Sequence, residues 1–352
     1  MAGLRPDTEN TTILKGENPS TTHTEIPLKV LVVLTSNRSN SPIAQVWAKR
    51  QINSLRALGL DVDHQFMVER RSLRQLIRFG IGLRRRIRRQ KPDLVHVHWG
   101  SSAALVTALF SPRPVVVSFC GSDLLGNYNS RGKRTWSGRL SSLLSKLASL
   151  KAARIITKTE ELKRNLWKPV WDKTVVIPNG VDMEFFTPMP QSEARRRLGW
   201  EHNQPAVLFV NRDGAWVKDP VLARAAYDRA RELAPELKLV WGEGLLPEDM
   251  PLYYNAADVL LLTSRHEGSN NTIKEALACG LPVVATRCGD VEERLAGVTP
   301  GGVCDRSVDE LGRKLAEVAR SRQRSNGRDQ IRALSLEKVA LRVFACYREA
   351  LK

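Results

Sequence analysis

The chain has 352 residues, which is long enough for two domains that each bury a core of their own. Its 55 Lys and Arg residues against 37 Asp and Glu residues give a formal net charge of +18, which favours negatively charged partners such as nucleic acid, anionic lipid or phosphorylated substrates. The five cysteines form no CxxC pair and indicate neither a disulfide framework nor a zinc site. We expect neither a membrane span nor a secretion signal, because no apolar run reaches about 18 residues and the segment before Pro27 is polar.

The first half of the chain is predicted to alternate strands with helices. Residues 1–26 lack hydrophobic periodicity and are expected to form a disordered tail. In chain order the predicted strands are LKVLVVLTS, DVDHQFMV, PDLVHVHWG, RPVVVSF, ARIITKT and TVVIPNGVD, and the predicted helices cover residues 43–58, 72–90, SAALVTALF and 140–152.

The second half, from residue 184, repeats this architecture. Its predicted strands are AVLFVN, LKLVWGEG, ADVLLLTS and PVVAT, and its predicted helices are DPVLARAAYDRARELA, TIKEALAC, VDELGRKLAEVAR and SLEKVALRVFACYREALK. Asp219 is the expected N-cap of the first of these helices, with Pro220 in its first turn. The alternation predicts an α/β protein with doubly wound parallel sheets.

The segment SRHEGSNNTIKEALACGLPVVATRCGD carries two carboxylates around a predicted helix start between two strands. Asn270 or Asn271 is expected to cap that helix. Ligands of open parallel sheets bind beyond the carboxyl ends of the strands, and a carboxylate accepts two hydrogen bonds from a vicinal diol. One of Glu267 and Glu275 is thus expected to hold sugar hydroxyls and the other a ribose, although the pair alone leaves open a plain loop acid and a solvated helix position beside Lys274.

The same segment resembles the signature of the retaining glycosyltransferases of family 4, an E-x7-E pair followed by EAxAxGxPVVAT. The flanking GDVEER and PEDMPLYYNAADVLLLTS are similar to the branch that builds capsules, exopolysaccharides and teichuronic-type polymers, although Asn270 replaces a Pro of that branch. The resemblance implies a GT-B fold of two Rossmann-like domains facing a central cleft. It implies an acceptor domain over residues 27–183, a nucleotide-sugar donor domain over 184–330, and a terminal helix over 331–352 that crosses back to the first domain.

Two cations, Arg212 and Lys218, follow the strand AVLFVN at the mouth of the predicted sheet. By themselves, in an Arg-rich chain, they favour two solvated bases. The resemblance reverses that preference and implies that they clamp the diphosphate, so that catalysis rests on Glu267, Arg212 and Lys218. Neither a bound metal nor another cofactor is expected, since the cations supply the charge and no acidic cluster is present. The implied donor-binding residues are Gly268, Ser269, Asn270, Asn271, Thr272 and Glu275.

The first half departs from the family in the loop after VVVSF. Many relatives carry a His there against the donor sugar, whereas this chain has Cys120, for which simple packing is the alternative. The resemblance implies an acceptor or sugar loop containing Cys120, Gly121 and Asp123. His96 and His98 share one face of their strand and are expected to be core or rim groups.

A basic segment from Glu69 to Lys91 contains nine Arg and one Lys interleaved with apolar residues. An amphipathic helix from Ser72 to Gln90 is predicted to bind an anionic membrane surface, with a solvated basic face as the alternative; nucleic acid is not expected because no recognised motif accompanies the charge. Gly80 and Gly82 weaken the helix and are expected to allow a break.

The resemblance implies a retaining transferase that moves a sugar from a nucleotide diphosphate sugar to a lipid-linked or polysaccharide acceptor. With the basic helix, it predicts a protein in the cytoplasm, peripheral on the inner face of the membrane. Two alternatives stay open. One is a nucleotide-sugar epimerase on the same fold. The other is a catalytically decayed scaffold that binds lipid or nucleic acid, for which Cys120 is the best argument.

Overall fold

The computed structural model describes residues 27–35, 46–67, 72–129, 132–211 and 216–352. Its first half is a six-stranded parallel sheet in the order β2-β1-β3-β4-β5-β6. The strands are β1 Lys29–Thr35, β2 Asp61–Met67, β3 Leu94–His98, β4 Val115–Phe119, β5 Arg154–Thr157 and β6 Thr174–Val176. The helices are α1 Val46–Ala57, α2 Leu73–Gln90, α3 Ser101–Phe110, α4 Ser122–Leu125, α5 Trp136–Lys151 and α6 Glu160–Arg164, with a 3₁₀ turn at Lys168–Val170.

The second half is a five-stranded parallel sheet in the order β11-β10-β9-β7-β8. Its strands are β7 Ala206–Val210, β8 Lys238–Gly242, β9 Val259–Leu262, β10 Val283–Thr286 and β11 Gly301–Cys304. Its helices are α7 Gln191–Leu198, α8 Pro220–Leu233, α9 Met250–Ala256, α10 Asn271–Ala278, α11 Val291–Leu295, α12 Val308–Ser321, α13 Gly327–Gln330 and α14 Leu336–Ala350, with 3₁₀ turns at Trp216–Lys218 and Arg332–Leu334.

Both sheets are covered on their two faces by helices, and the apolar side chains form four buried clusters. The strands read as almost continuous apolar runs because parallel strands are buried on both sides. The predicted α/β class with two doubly wound parallel sheets is therefore confirmed.

The last helix, α14, packs against the first sheet. Val339 and Val343 belong to the same buried cluster as residues of β1, and Tyr347 Oη lies 2.6 Å from His96 Nδ1. The chain enters this helix along the first domain, since the Val181 N–H donates to Leu334 O and the Leu336 N–H donates to Val181 O. Helix α14 therefore completes the apolar core on one face of the first sheet.

The basic helix α2 is a single helix of 18 residues, so the expectation of a break at its glycines is wrong. A capping box starts it, with the Ser72 side chain accepting from the Gln75 N–H, and Lys91 ends it in the left-handed region at φ 51°. Gly80 is required for close packing, because a Cβ at that position would lie 2.6 Å from the Phe110 ring. Within the described ranges no helix combines the length and apolarity of a bilayer-spanning segment.

Candidate functional site

The two sheets direct the carboxyl ends of their strands toward each other, and loops from both meet there. Gly268, after β9, packs against the loop after β4 so closely that a Cβ at Gly268 would lie 2.0 Å from Cys120 O. Gly121 faces it at φ 150°, where a Cβ would lie 3.3 Å from Gly268 N. Glycine at both positions therefore lets the backbones touch. The predicted donor loop and the predicted acceptor or sugar loop are thus adjacent.

Glu267 and Lys218, both predicted to be catalytic, lie side by side. Lys218 Nζ donates to Glu267 Oε1 at 2.5 Å, and Ser264 Oγ donates to the same oxygen at 2.9 Å. The side chains are 19% and 26% exposed, so a ligand can reach the pair. Arg212, the third predicted catalytic residue, lies outside the described residues.

Asp219 fixes the backbone that carries Lys218. It is the N-cap of α8, as predicted, with φ 48°, and its carboxylate accepts from the Leu222 N–H. The same carboxylate pairs with Arg265 at 2.7 Å and with Arg306. Thr263 Oγ1 donates to Lys218 O at 2.7 Å. These contacts tie the turn that presents Lys218 to the end of β9.

The start of α10 is held by a buried polar network. Asn270 is the N-cap, and its side chain accepts from the Ile273 N–H at 3.3 Å. Asp290 accepts from Ser269 Oγ at 2.7 Å and from the Asn270 N–H at 3.3 Å. The hydroxyl of Ser269 and the amide of Asn270 therefore orient the loop, while Gly268 provides its close approach to the other domain.

Lys274 is fully buried and not solvated. Its Nζ donates to Ser269 Oγ at 2.9 Å and to Asn179 O at 2.8 Å, and Asn179 Nδ2 donates to Asn271 Oδ1 at 3.4 Å. Burial lowers the pKa of Lys274 to about 8. Lys274 thus joins the junction segment at Asn179 to the donor loop, a role that no motif in the sequence indicates. Thr272 is half-buried in the first turn of the same helix.

Glu275 connects the two domains. Its Oε1 pairs with Arg50 Nη1 of α1 at 3.2 Å, and its Oε2 accepts from Tyr254 Oη at 3.1 Å. The Arg50 guanidinium also lies over the rings of Phe185 and Phe186, at 5.2 and 5.0 Å from their centroids. The Glu275 side chain is only 14% exposed, so the alternative of a solvated helix position is wrong. No motif in the sequence marks Arg50 as part of the site.

The loop after β4 is held from inside by Asp123. This fully buried carboxylate accepts from the backbone N–H groups of Gly100, Cys120 and Gly121, at 2.7 to 3.0 Å. Burial raises the pKa of Asp123. The pKa of the Cys120 thiol is also raised, first by burial and then by the Asp123 carboxylate. The thiol is therefore protonated near neutral pH and is a poor nucleophile.

A second contact between the domains is aromatic. Tyr128 of the first domain stacks on Trp216 with centroids 5.8 Å apart and lies 4.7 Å from His266. Arg265 covers the Trp216 ring at 4.6 Å. Trp216, Arg265 and His266 are close in sequence to Lys218 or Glu267, whereas Tyr128 reaches them from the first domain. Among the described residues, no group of three or more His, Cys, Asp or Glu side chains is placed to hold a metal ion.

Two family models match the chain, one in each half. Residues 29–185 match the model described as Glycosyltransferase Family 4, and residues 218–321 match the model described as Glycosyl transferases group 1. The second match contains both predicted glutamates and Lys218. The first contains the loop after β4.

Individual proteins give the same picture. The chain is 29% identical over 217 residues to a D-inositol 3-phosphate glycosyltransferase from Segniliparus rotundus, covering 51% of this chain and 48% of the relative, so it spans about half the relative's length. Among solved structures, sucrose-phosphate synthase from Thermosynechococcus elongatus superposes with a TM-score of 0.71 at 18% identity, covering 91% of this chain and 99% of that one. Alr3699/HepE from Anabaena, solved with UDP and glucose, gives 0.67 at 17% identity with the same coverage.

Proposed function

Because the chain belongs to the GT-B glycosyltransferases of the family 4 type, we propose that it is a retaining glycosyltransferase. It takes a sugar from a nucleotide diphosphate sugar and transfers it to a lipid-linked or polysaccharide acceptor. The observation that carries the proposal is the Lys218–Glu267 pair, presented at the carboxyl end of the second sheet directly under the loop after β4. The relative from Segniliparus rotundus and the complex of the Anabaena protein with UDP and glucose support the substrate class.

Carboxylates hold the hydroxyls of the donor, and cations hold its diphosphate. Glu267 accepts hydrogen bonds from the sugar hydroxyls, and Lys218 moves from Glu267 to the diphosphate with Arg212. Glu275, fixed by Tyr254, accepts from the ribose hydroxyls. A diphosphate that leaves gains charge as its bond to the sugar breaks, so fixed cations stabilise the transition state more than the bound substrate.

Transfer follows a front-face route. The bond between the anomeric carbon and the phosphate oxygen breaks, and the acceptor oxygen forms its bond on the same face. The acceptor proton passes to the departing phosphate oxygen, so no enzyme nucleophile is required. The high pKa of the Cys120 thiol agrees with this assignment, since a protonated thiol does not attack the sugar. Positioning and electrostatics then provide the catalysis.

Product analysis tests the activity. Purified protein is incubated with a panel of radiolabelled nucleotide sugars and with a membrane extract, with and without EDTA. Transfer of label to extract lipid or glycan that survives EDTA is expected. Release of an epimerised nucleotide sugar would instead establish the epimerase alternative. No product with any donor, together with no UDP or GDP binding, would support a decayed scaffold.

We further propose that the first domain docks on an anionic membrane. Helices α2, α3 and α5 form one layer on its sheet, with α3 packed against both neighbours, and none of the three contains Asp or Glu. Large apolar side chains are nevertheless exposed along this layer, which we call the docking layer. They are Leu73, Ile77 and Ile81 of α2, Leu109 of α3, and Trp136, Leu140, Leu143, Leu147 and Leu150 of α5.

The composition of the docking layer favours lipid over the two alternatives. Apolar residues at three- and four-residue spacing on α5 make a stripe, and arginines border it on α2, where Arg86 pairs with Asp63. A basic face that is only solvated does not require a continuous stripe of exposed leucines, and nucleic acid gains nothing from such a stripe. An anionic bilayer matches both the stripe and the charge.

Vesicle co-sedimentation tests the docking. Reversal of Arg84, Arg85, Arg88 and Arg89 to Glu is expected to release the protein from anionic vesicles, because each basic residue near such a surface contributes about 1 kcal/mol. Binding by the wild type should also weaken with salt. The control reverses four exposed arginines of the second domain, Arg196, Arg197, Arg224 and Arg231. Wild-type sedimentation of the first variant would contradict the proposal.

A further inference from the structure

Two buried side chains at the carboxyl edge of the first sheet have polar atoms without a hydrogen-bond partner in the described part of the chain. Lys158 is 1% exposed and His98 is fully buried. Lys158 Nζ and both ring nitrogens of His98 make no hydrogen bond. Buried polar atoms are nearly always paired, so a cation and an imidazole left unpaired together point to a group that binds there.

The sheet brings these residues to one place. Strands β3, β4 and β5 are parallel neighbours, with His98 opposite Ser118 and Phe119 opposite Thr157. His98 ends β3 and Lys158 directly follows β5, so both lie at the edge where the loop of Cys120 leaves β4. Ligands of parallel sheets bind at this edge.

The two histidines of β3 lie on the same face of the first sheet. His96 and His98 are two residues apart on one strand and point to the same side, with ring centroids 4.2 Å apart. His96 is satisfied there by Ser118 Oγ at 2.8 Å and by Tyr347. Trp47 of α1 covers His98 from the outside, with centroids 5.3 Å apart. The imidazole of His98 therefore lies between the sheet and α1, enclosed by His96 and Trp47.

The buried acid in this region, Asp123, does not neutralise Lys158 by a direct bond, because its oxygens accept from the backbone of Gly100, Cys120 and Gly121. Burial lowers the pKa of Lys158, and the Cys120 thiol and the Asp123 carboxylate oppose that shift. Burial also holds the pKa of His98 well below its usual range, so its ring is neutral and has one N–H to donate. An ammonium and a neutral N–H are together suited to one oxyanion.

We propose that Lys158 and His98 form a subsite for an oxyanion, a carboxylate or phosphate, on the substrate. This inference rests on the proposed function. The nucleotide diphosphate is assigned to Lys218 in the second domain, so the oxyanion at Lys158 is a different group. It is either the carboxylate of an acidic donor sugar or the phosphate of a phosphorylated acceptor, since the loop of Cys120 and Gly121 above the subsite touches the donor loop at Gly268.

Binding of matched probes tests the subsite. UDP-glucose and UDP-glucuronate differ in one carboxylate, and D-inositol 3-phosphate and inositol differ in one phosphate. Each is titrated calorimetrically into the wild type and into Lys158→Met, which keeps the length and removes the charge. For the probe whose anion uses the subsite, the variant should lose about 10- to 100-fold in affinity, the range of a charge-assisted hydrogen bond. Its uncharged partner should bind both proteins equally.

The control is Lys173→Met. Lys173 is a partly buried lysine of the same domain, and its Nζ donates to Leu150 O and Ala152 O at 3.0 and 2.7 Å. Lys173→Met should lower the melting temperature and leave all probe affinities unchanged. Lys158→Met should not lower the melting temperature without ligand, because it removes a buried charge that has no partner. If Lys158→Met does not fold, Lys158→Gln carries the same comparison.

The outcomes separate the two proposals. A charge-dependent loss confined to the UDP-sugar pair assigns a donor carboxylate, and one confined to the inositol pair assigns an acceptor phosphate. If the wild type prefers neither charged probe over its partner, or if Lys158→Met retains the preference, the subsite is refuted. Binding of UDP alone by the wild type reports on the proposed function independently, because the nucleotide site is built from the second domain.

Discussion

Substitution of Gly268 by Ala tests whether the contact between the two domain loops sets the geometry of transfer. The new Cβ would lie 2.0 Å from Cys120 O, whereas carbon and oxygen that are not bonded need about 3.3 Å. The loops must therefore separate by about 1.3 Å. Displacements of about 1 Å in a catalytic site cost about 100-fold in rate. We expect the rate of transfer to fall by about that factor.

The stability of the variant should change less than its activity. Overpacking inside a core costs about 1 to 3 kcal/mol, but here the strain is relieved when the domains part, without unfolding either of them. UDP affinity should not fall below the wild-type value, because Lys218 and Glu275 keep their places in the second domain and a wider separation only weakens the competing pair of Glu275 with Arg50. Transfer rate, melting temperature and UDP affinity are measured side by side.

The matched control is Gly82→Ala. Gly82 lies in the middle of α2, and a Cβ there would meet nothing within 4 Å. This variant should gain about 0.5 to 1 kcal/mol of stability and keep full activity. Wild-type transfer by Gly268→Ala would show that the close approach of the two loops does not determine the catalytic geometry.

Three further predictions concern the second domain. Glu275→Gln should weaken UDP binding by about 10- to 100-fold with a smaller change in turnover, whereas Glu267→Gln should chiefly lower turnover; unchanged steady-state kinetics in both folded variants would refute the donor site. Lys274 binds its proton more weakly when folded, with a pKa of about 8, than when unfolded, near 10.4. Between these values the unfolded chain holds more protons, so this residue makes the free energy of unfolding rise with pH by up to about 1.4 kcal/mol per unit. The rise should be missing from Lys274→Met in urea titrations, and equal slopes for the two proteins would contradict the burial effect.

The fold was predictable because its signals are local. Alternating apolar runs and helical periodicity marked the long elements, and the caps at Asp219 and Asn270 are where side-chain chemistry places them. The short helices α7 and α9 were not predicted, since eight and seven residues contain too few turns for a period to be read. The continuity of α2 was also misjudged, because Gly80 is explained by the ring of Phe110, which lies thirty residues further along the chain.

The site was predictable only where a short motif carried it. Glu267 and Lys218 were assigned from such motifs, and their contact is present. Arg50 pairs with Glu275, which lies 225 residues further along the chain, and no local sequence pattern predicts a contact between such distant residues. Lys158 and Lys274 were missed for a related reason. Lysine side chains are mostly exposed in folded proteins, so a lysine is expected to be solvated from sequence alone. Only the packed structure shows that Lys158 and Lys274 are buried.

Each glutamate of the pair is held by a cation in this structure, and the two cations come from different domains. Lys218 of the second domain occupies Glu267, whereas Arg50 of the first domain occupies Glu275. A donor that binds Glu267 through its hydroxyls releases the Lys218 ammonium beside the position proposed for the donor's own diphosphate. Lys218 then exchanges one anionic partner for another, and no additional charge is buried. A ribose that binds Glu275 competes with an ion pair between domains. Donor binding should therefore loosen the contact through α1 while the contact at Gly268 remains, which links occupancy of the nucleotide site to the relative position of the two domains.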